Sequence, residues 1–480
     1  MYRLRTFRRI AALSLLSLLF VLPAQARKKQ QAEGPQAPKY VFYMIGDGMG
    51  INEVYGAQNY NQVTGDGPEY INFTQFPVRT FVTTFSSSSL VTDSAAAGTA
   101  LSSGYKTYNG AIGVDDDHKS RSNICNWAHD KGFGTGIATT VGVNHATPAA
   151  FFGHADHRSE YDKLASQLIE ADFIDFAAGG GFLNEVKKTG RDSKYFEAKA
   201  REAGITVLHG REQFRGLDKL QGRVLCFSAD PDATDLKYAI DRHDGETELS
   251  DFVRAGIDYL YGHFAEKGFF FMVEGGKIDS AGHGNDEAAN IKELNDFAAA
   301  IDVVLDFCRK HPGECLILVT ADHETGGLQL GDNYMMYPEL LTVRKWGEGE
   351  INSRFAKLTE GAAAGNPPTW EAVKDFFREY LGLWGTIEVD EKQEAVFKDL
   401  YHKTFELNQD EQVESLYSIT SRMVSDAIVY ADAKAGYMWT HGGHTGSPVG
   451  LYVYGDTAAE FNACTDNTQI PLFIKRIARY

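Results

Sequence analysis

Asp47, Thr147, Glu274, Asp279, His283, Asp322, His323 and His444 offer carboxylate, hydroxyl and imidazole donors, and Ser94 stands apart from them in the run Asp-Ser-Ala-Ala-Ala. Zinc takes imidazole nitrogen and carboxylate oxygen, whereas magnesium takes carboxylate, hydroxyl and water, so this set suffices for two zinc-like positions and one magnesium-like position. Metal ions gathered around a serine nucleophile would suit phosphoryl transfer.

Each motif also has a plainer reading. Gly46-Asp47-Gly48 lets backbone and ions approach the carboxylate closely, yet alone it reads equally as a tight turn. Ser94 falls at a predicted helix start, where free N–H groups and the helix dipole favour phosphate, and where a serine can also serve only as a cap. Glu274 is placed at a strand tip, and Asp279 and His283, four residues apart, share one face of a helical turn. Thr320 to Gly327 (TADHETGG) sets Asp322 and His323 side by side after another strand. His444 is weak evidence by itself. His154, His157 and His441 read as structural, with a role in orienting metal ligands open to the first two. Arg158 has no distinctive spacing.

The elements that must carry these residues alternate. Short apolar runs rich in β-branched and aromatic residues, at 40–45, 81–85, 136–141, 173–177, 224–227, 269–273 and 316–320, are separated by helical patterns. This predicts a three-layer α/β/α sandwich with a central, mostly parallel sheet. Between Asp286 and Lys310, the spacing of Ile291, Leu294, Ala298, Ile301, Leu305 and Cys308 predicts one long crossover helix. In such sheets ligands collect at the carboxyl ends of strands, where Asp47, Glu274, Asp322 and His323 are expected. Residues 332–434 have a different texture and predict an inserted, mainly helical cap. A helix capped at Thr369 would show Val373, Phe376, Phe377, Tyr380 and Leu381 on one face, and another would show Val413, Leu416, Tyr417, Thr420 and Val424. The expected catalytic domain is therefore 38–331 with 435–480.

The 480 residues and net charge of −18 allow one large domain with an insertion, and argue against nucleic acid or an anionic membrane as the main partner. Arg3, Arg5, Arg8 and Arg9, the apolar run Ile10 to Leu22 and Ala24-Gln25-Ala26 predict a cleaved export signal over 1–26, then a flexible leader over 27–37. An exported, periplasmic or secreted chain without a stable membrane anchor is expected. Cys125, Cys226, Cys308, Cys315 and Cys464 are too few and odd in number for a disulfide framework, although Cys308 and Cys315 are spaced to bridge a helix end and a strand.

The chain resembles the alkaline phosphatases across nearly the whole mature region. The resemblance rests on VFYMIGDGMG from Val41, VTDSAAAGTA from Val91, GYKTYNGAIGVD from Gly104, NHATPAAFFGHADHR from Asn144, MVEGGKID with His283, TADHETGG from Thr320 and HTGSPV from His444. It implies that Asp279, His283 and His444 hold one zinc, that Asp47, Asp322 and His323 hold a second beside Ser94, and that Asp47, Thr147 and Glu274 hold one magnesium. It further implies Ser94 as nucleophile, Arg158 as phosphate clamp, small phosphate monoesters as substrates and a homodimer. Two positions depart from familiar members. His145 stands near the third metal, and Ser280 stands where a lysine or histidine is common, so bound phosphate is expected to lack one nearby cation unless Lys277 supplies it. The rival readings are a phosphodiesterase or sulfatase on a related fold, and a noncatalytic metal- or phosphate-binding protein, which would have no need of Ser94.

Overall fold

Strand β1 (Tyr40–Gly46) is buried along its whole length, which requires strands on both sides and cover on both faces. The structure, a computed structural model, describes residues 36–362, 365–406 and 416–480, without the side chains of 416–420. The expected export signal and nearly all of the leader lie outside the described residues.

The remaining strands are β2 (Val78–Val82), β3 (Gly134–Thr139), β4 (Phe176–Gly179), β5 (Thr206–His209), β6 (Val224–Phe227), β7 (Phe269–Gly275), β8 (Cys315–Ala321), β9 (Glu324–Thr325), β10 (Gln329–Leu330), β11 (Tyr437–Met438), β12 (His444–Thr445) and β13 (Val449–Tyr454). With β1, eight of them form one nine-stranded sheet in the order β2-β13-β8-β1-β7-β3-β4-β6-β5. It is parallel except for β13, which runs antiparallel to both β2 and β8. Helices surround it, giving the α/β fold predicted from the alternation.

Register places the functional residues together. Ile45 lies opposite Glu274 on one side and Thr320 on the other, and Thr139 also lies opposite Glu274. The chain therefore leaves β8, β1 and β7 at one level, and Asp47, Glu274 and Asp322 emerge as neighbours. Phe42, Phe269, Phe271 and Phe307 pack edge-on or tilted below that level and hold the strands in a dry, aromatic core.

Some boundaries differ from the sequence reading. β2 begins at Val78, and its alternating burial leaves Phe81 59% exposed, as an edge strand permits. β4 starts at Phe176, after the Phe173-Ile174 approach. β5 is an edge strand of half-buried residues with no strong apolar run. β13 carries an apolar run but crosses between two strands far away in sequence, which local periodicity does not reveal.

A second apolar cluster is built from the later helices. Thr369 Oγ1 accepts from Ala372 N at 3.2 Å and caps Trp370–Leu381, whose Val373, Phe377 and Leu381 are buried with Phe376 and Tyr380 packed beside them. Glu348–Thr359 contributes Ile351 and Phe355, and Leu416–Ala435 contributes Met423, Val424 and Ile428. Val413, and the side chains of Leu416, Tyr417 and Thr420, lie outside the described residues. All five cysteines are buried free thiols, so Cys308 and Cys315 are not joined. No helix among the described residues is long and apolar enough to cross a membrane.

Candidate metal and nucleophile site

Three adjacent strands deliver carboxylates into one buried space. Asp47 follows β1, Glu274 is the penultimate residue of β7, and Asp322 and His323 follow β8; all four are fully buried. The short Lys277–His283 helix then brings Asp279 and His283 back to the same place, as their spacing predicts. β12 adds His444 by pairing antiparallel with β9, with His444 opposite Thr325.

Hydrogen bonds fix how the imidazoles present themselves. His283 Nδ1 donates to Gly442 O at 2.7 Å, and His444 Nδ1 donates to Thr92 O at 2.9 Å. Their Nε2 atoms then face each other across 3.2 Å, with Asp279 Oδ2 3.3 Å from His283 and Asp279 Oδ1 3.7 Å from His444. Thr325 Oγ1 donates to Asp279 Oδ1 at 2.5 Å and lies 3.2 Å from His323 Nδ1, leaving His323 Nε2 3.2 Å from Asp322 Oδ2 and 3.6 Å from Asp47 Oδ1. A partner on the outer ring nitrogen is how metal-ligating histidines are oriented.

The donor set fits metal ions. Donor atoms of Asp47, Asp322 and His323 lie within 4.8 Å of one another, as do those of Asp279, His323 and His444, and those of Asp47, His145 and Glu274. Both oxygens of Asp47, Oε1 of Glu274, Oγ1 of Thr147 and Nδ1 of His145 are buried without a hydrogen-bond partner. Orphaned oxygen and nitrogen donors at this density are what a cation satisfies. Residues missing from the sequence-derived ligand set are now apparent. Thr139 Oγ1 donates to Glu274 Oε2, and His145 stands beside Asp47 and Glu274. No spacing signal marks Thr139, whereas the resemblance already sets His145 near the third metal, where it now stands.

Ser94 is not the helix cap. Asp93 takes that role, accepting from Ala96 N at 3.0 Å, so Ser94 opens the helix Ser94–Ser103 with its hydroxyl free of capping. Ser94 Oγ lies 3.2 Å from His323 Nε2 and accepts from Arg158 Nη1 at 3.4 Å. Arg158 is held by Asp93 Oδ2 at 3.3 Å and by His145 Nε2 at 3.0 Å, and its backbone N donates to Gly110 O. The guanidinium is thus held beside the helix start, with Nη1 toward Asp93 and Ser94 and Nη2 toward His145.

Charge in this space is unbalanced. Burial, then the charges of Asp322, Asp279 and Glu274, push Asp47 well above the usual carboxylate range. Burial lifts Glu274 to about 8 and Asp322 to about 6. Burial also opposes ionisation of Asp279, but the hydrogen bond from His283 and the charges of His323 and His283 outweigh it and hold that carboxyl below the usual range. Asp279 in turn raises His283 to about 9, whereas burial depresses His323 to about 4 and His145 to about 3.

Neither Ser280 nor Lys277 faces the serine. Ser280 lines a separate cavity of about 320 Å³ with Tyr238, Asp286 and Glu348, and Lys277 Nζ sits 3.8 Å over the Tyr238 ring. Lys277 therefore does not stand in for the lysine or histidine that the resemblance leads one to expect at position 280. His154 Nε2 bonds Arg121 O, His157 Nδ1 bonds Ser159 Oγ, and His441 Nδ1 accepts from Gly443 N, so all three have local structural partners.

A serine freed from capping, gripped by arginine and fronting paired groups of metal donors at the mouth of a parallel sheet, narrows the class to hydrolases that transfer phosphoryl groups with the help of metals. A family profile described as alkaline phosphatase matches residues 38–480. Alkaline phosphatase 4 of Bacillus subtilis is 30% identical over 483 residues, covering 98% of this chain and 96% of that one. Repressible alkaline phosphatase of Saccharomyces cerevisiae is 31% identical over 467 residues, covering 90% and 78%. The crystal structure of a cold-active alkaline phosphatase from a psychrophilic Shewanella species superposes with a TM-score of 0.73 at 29% identity, covering 92% of this chain and 99% of that one. The chain belongs to the alkaline phosphatase family, and with it to the phosphoric monoester hydrolases.

Two outcomes follow from the electrostatics. In chelator-treated protein, Glu274 and Asp322 have folded values of about 8 and about 6 against ordinary values of 4.5 and 3.8, so the folded chain holds more protons than the unfolded one between those limits. Their contribution to stability is fully present below the ordinary values and is lost as pH rises through about 6 and then about 8. Cations remove that loss, so the melting-temperature gap between metal-loaded and metal-free protein widens from about pH 5 to about pH 8; a constant or shrinking gap contradicts the reading. Separately, the ammonium of Ser280→Lys would meet Asp286 and Glu348 rather than phosphate, so inhibition by inorganic phosphate stays within about twofold of wild type, a change near 0.4 kcal/mol. A larger tightening would place position 280 back in the phosphate field.

Proposed function

We propose that this chain hydrolyses a broad range of small phosphate monoesters through a phosphoserine on Ser94, using two zinc ions and one magnesium ion. Asp279, His283 and His444 would hold one zinc, Asp47, Asp322 and His323 the other, and Asp47, Thr147 and Glu274 the magnesium, with His145 beside it. The observation that carries the reading is the serine hydroxyl between His323 Nε2 and Arg158 Nη1 at 3.2 and 3.4 Å, released from capping by Asp93. When bound, the metals supply positive charge for the serine alkoxide and the leaving oxygen and lower the pKa of water toward neutrality.

The chain's own residues supply binding, orientation and the nucleophile. Arg158 presents two nitrogens to nonbridging phosphoryl oxygens, with Asp93 and His145 fixing its plane. Ser94 Oγ attacks phosphorus as the alcohol departs on the opposite side, and the new O–P bond is later broken by water, returning inorganic phosphate and the free hydroxyl. The N–H groups at the start of the Ser94 helix face the same oxygens and favour their charge. The N-terminal pattern supports export to the periplasm or beyond, and the family supports a homodimer as the working form.

Ser94→Ala should abolish the acid-trapped phosphoenzyme and lower turnover of p-nitrophenyl phosphate by at least about a thousandfold, with zinc content unchanged. Phosphate trapped on a different residue would overturn the assignment. Arg158→Ala should lower kcat/KM for that monoester by roughly a hundredfold, and for the bis-ester by much less, because the monoester offers more nonbridging charge to the guanidinium. Equal losses would remove Arg158 from monoester recognition, and wild-type preference for the bis-ester or the sulfate ester would replace the phosphomonoesterase reading.

A further inference from the structure

The β9–β12 ribbon has two faces, as successive residues of strands must. One face carries His444 and, opposite it, Thr325, whose hydroxyl bonds Asp279 and contacts His323. The other face carries the opposing pair Glu324 and Thr445. Thr445 Oγ1 donates to Glu324 Oε2, while Glu324 Oε1 accepts from Gly327 N at 2.7 Å and Leu328 N at 3.3 Å. One buried carboxylate therefore joins the turn after Asp322-His323 to the residue after His444.

The contact is enclosed from behind. A Cβ at Gly50 would come within 2.3 Å of Glu324 Cγ and 2.4 Å of Glu53 Oε2, so only glycine lets the Ile51–Thr64 helix pack there. Asn52 Nδ2 from that helix donates to Leu328 O at 2.7 Å, and Gly326 N donates to Gly443 O at 2.8 Å, adding two further ties across the same turn. Glu324 touches neither Ser94 nor a donor atom of the candidate metal groups, yet its hydrogen bonds span the two segments that supply His323 and His444.

We propose that Glu324, with Thr445 as its partner, is a positioning residue that fixes the separation of His323 and His444 and so sets the affinity of the zinc held by His444. The proposal rests on the two-zinc reading given above. Outer partners of metal ligands typically change affinity by about 10–100-fold when removed. A two-residue ribbon has too few backbone bonds of its own to hold that separation, so the side-chain tie matters more here than within the large sheet.

The test is zinc titration of metal-free protein against a chromophoric chelator, for wild type, Thr445→Val and Thr445→Ser, with the melting temperature of each metal-free protein measured alongside. Thr445→Val keeps the side-chain shape and removes the donor. It should weaken one of two zinc sites by about 10–100-fold and leave the other within about threefold, with the metal-free melting temperature lowered by no more than a few degrees as a buried carboxylate oxygen loses its donor, while Thr445→Ser restores wild-type binding. Unchanged affinity at both sites in Thr445→Val, equal loss at both, or failure of serine to restore binding would each overturn the clamp. Wild-type protein that takes up no zinc would remove the two-zinc reading and the clamp with it, whereas normal wild-type uptake beside an unaffected Thr445→Val removes the clamp alone.

Discussion

Mutual repulsion among Asp47, Glu274, Asp279 and Asp322 is the constraint around which the molecule is organised. Four carboxylates are buried side by side, bordered by His145 and His323 and by the partly exposed Arg158, His283 and His444, and both oxygens of Asp47 lack a hydrogen-bond partner. Isolated buried charge costs several kcal/mol per group, so a chain that gathers these residues must either keep protons on them or bring cations to them. Protonation would silence them as ligands. Cations turn the same repulsion into binding energy, which is why the donor geometry and the raised carboxyl groups argue in the same direction.

Bringing such groups together takes a rigid frame. Parallel strands β8, β1 and β7 end in register and are stiffened below by interlocked phenylalanines, and at the level of the carboxylates Asp47 N still donates to Gly275 O at 3.3 Å and Gly48 N to Asp322 Oδ1 at 3.1 Å, so Asp47, Glu274 and Asp322 keep their places. His323 follows β8 directly, whereas His283 and His444 arrive by lighter structures, a seven-residue helix and a two-residue ribbon. Their orientation depends on outer-ring hydrogen bonds to Gly442 O, Thr92 O and Thr325 Oγ1. Thr92 O is two residues from Ser94, so the bond that orients His444 also ties the serine segment to the ribbon.

Periodicity and strand-end logic were enough to read the sandwich, the long helix after Asp286 and the convergence of Asp47, Asp322 and His323. The four-residue spacing of Asp279 and His283 was legible because a single helical turn determines it. Ser94 was ambiguous from sequence because Asp-Ser can cap a helix through either residue, and only the Asp93–Ala96 bond decides between them. The directions of Ser280 and Lys277 are not legible in the sequence, because packing against Tyr238 sets them: Ser280 lines the cavity beside that ring and the Lys277 ammonium lies 3.8 Å over it. Thr139, the pairing of β5 and β13 and the Glu324–Thr445 tie depend on contacts between distant segments, which a local pattern does not specify. The role of Arg158 came from resemblance, since its spacing said nothing, and its bonds to Asp93 and His145 now give a physical reason for its place.

The central claim is that cations, not protons, neutralise the buried carboxylates, and anomalous diffraction tests it directly. Crystals grown with zinc and magnesium and measured on both sides of the zinc edge should show one anomalous peak among Asp279, His283 and His444 and a second among Asp47, Asp322 and His323. A peak of ordinary density without zinc signal should stand against Asp47, Thr147 and Glu274. Metal-replete crystals with no density between these side chains, their carboxyl groups instead hydrogen-bonded to one another, would contradict the account.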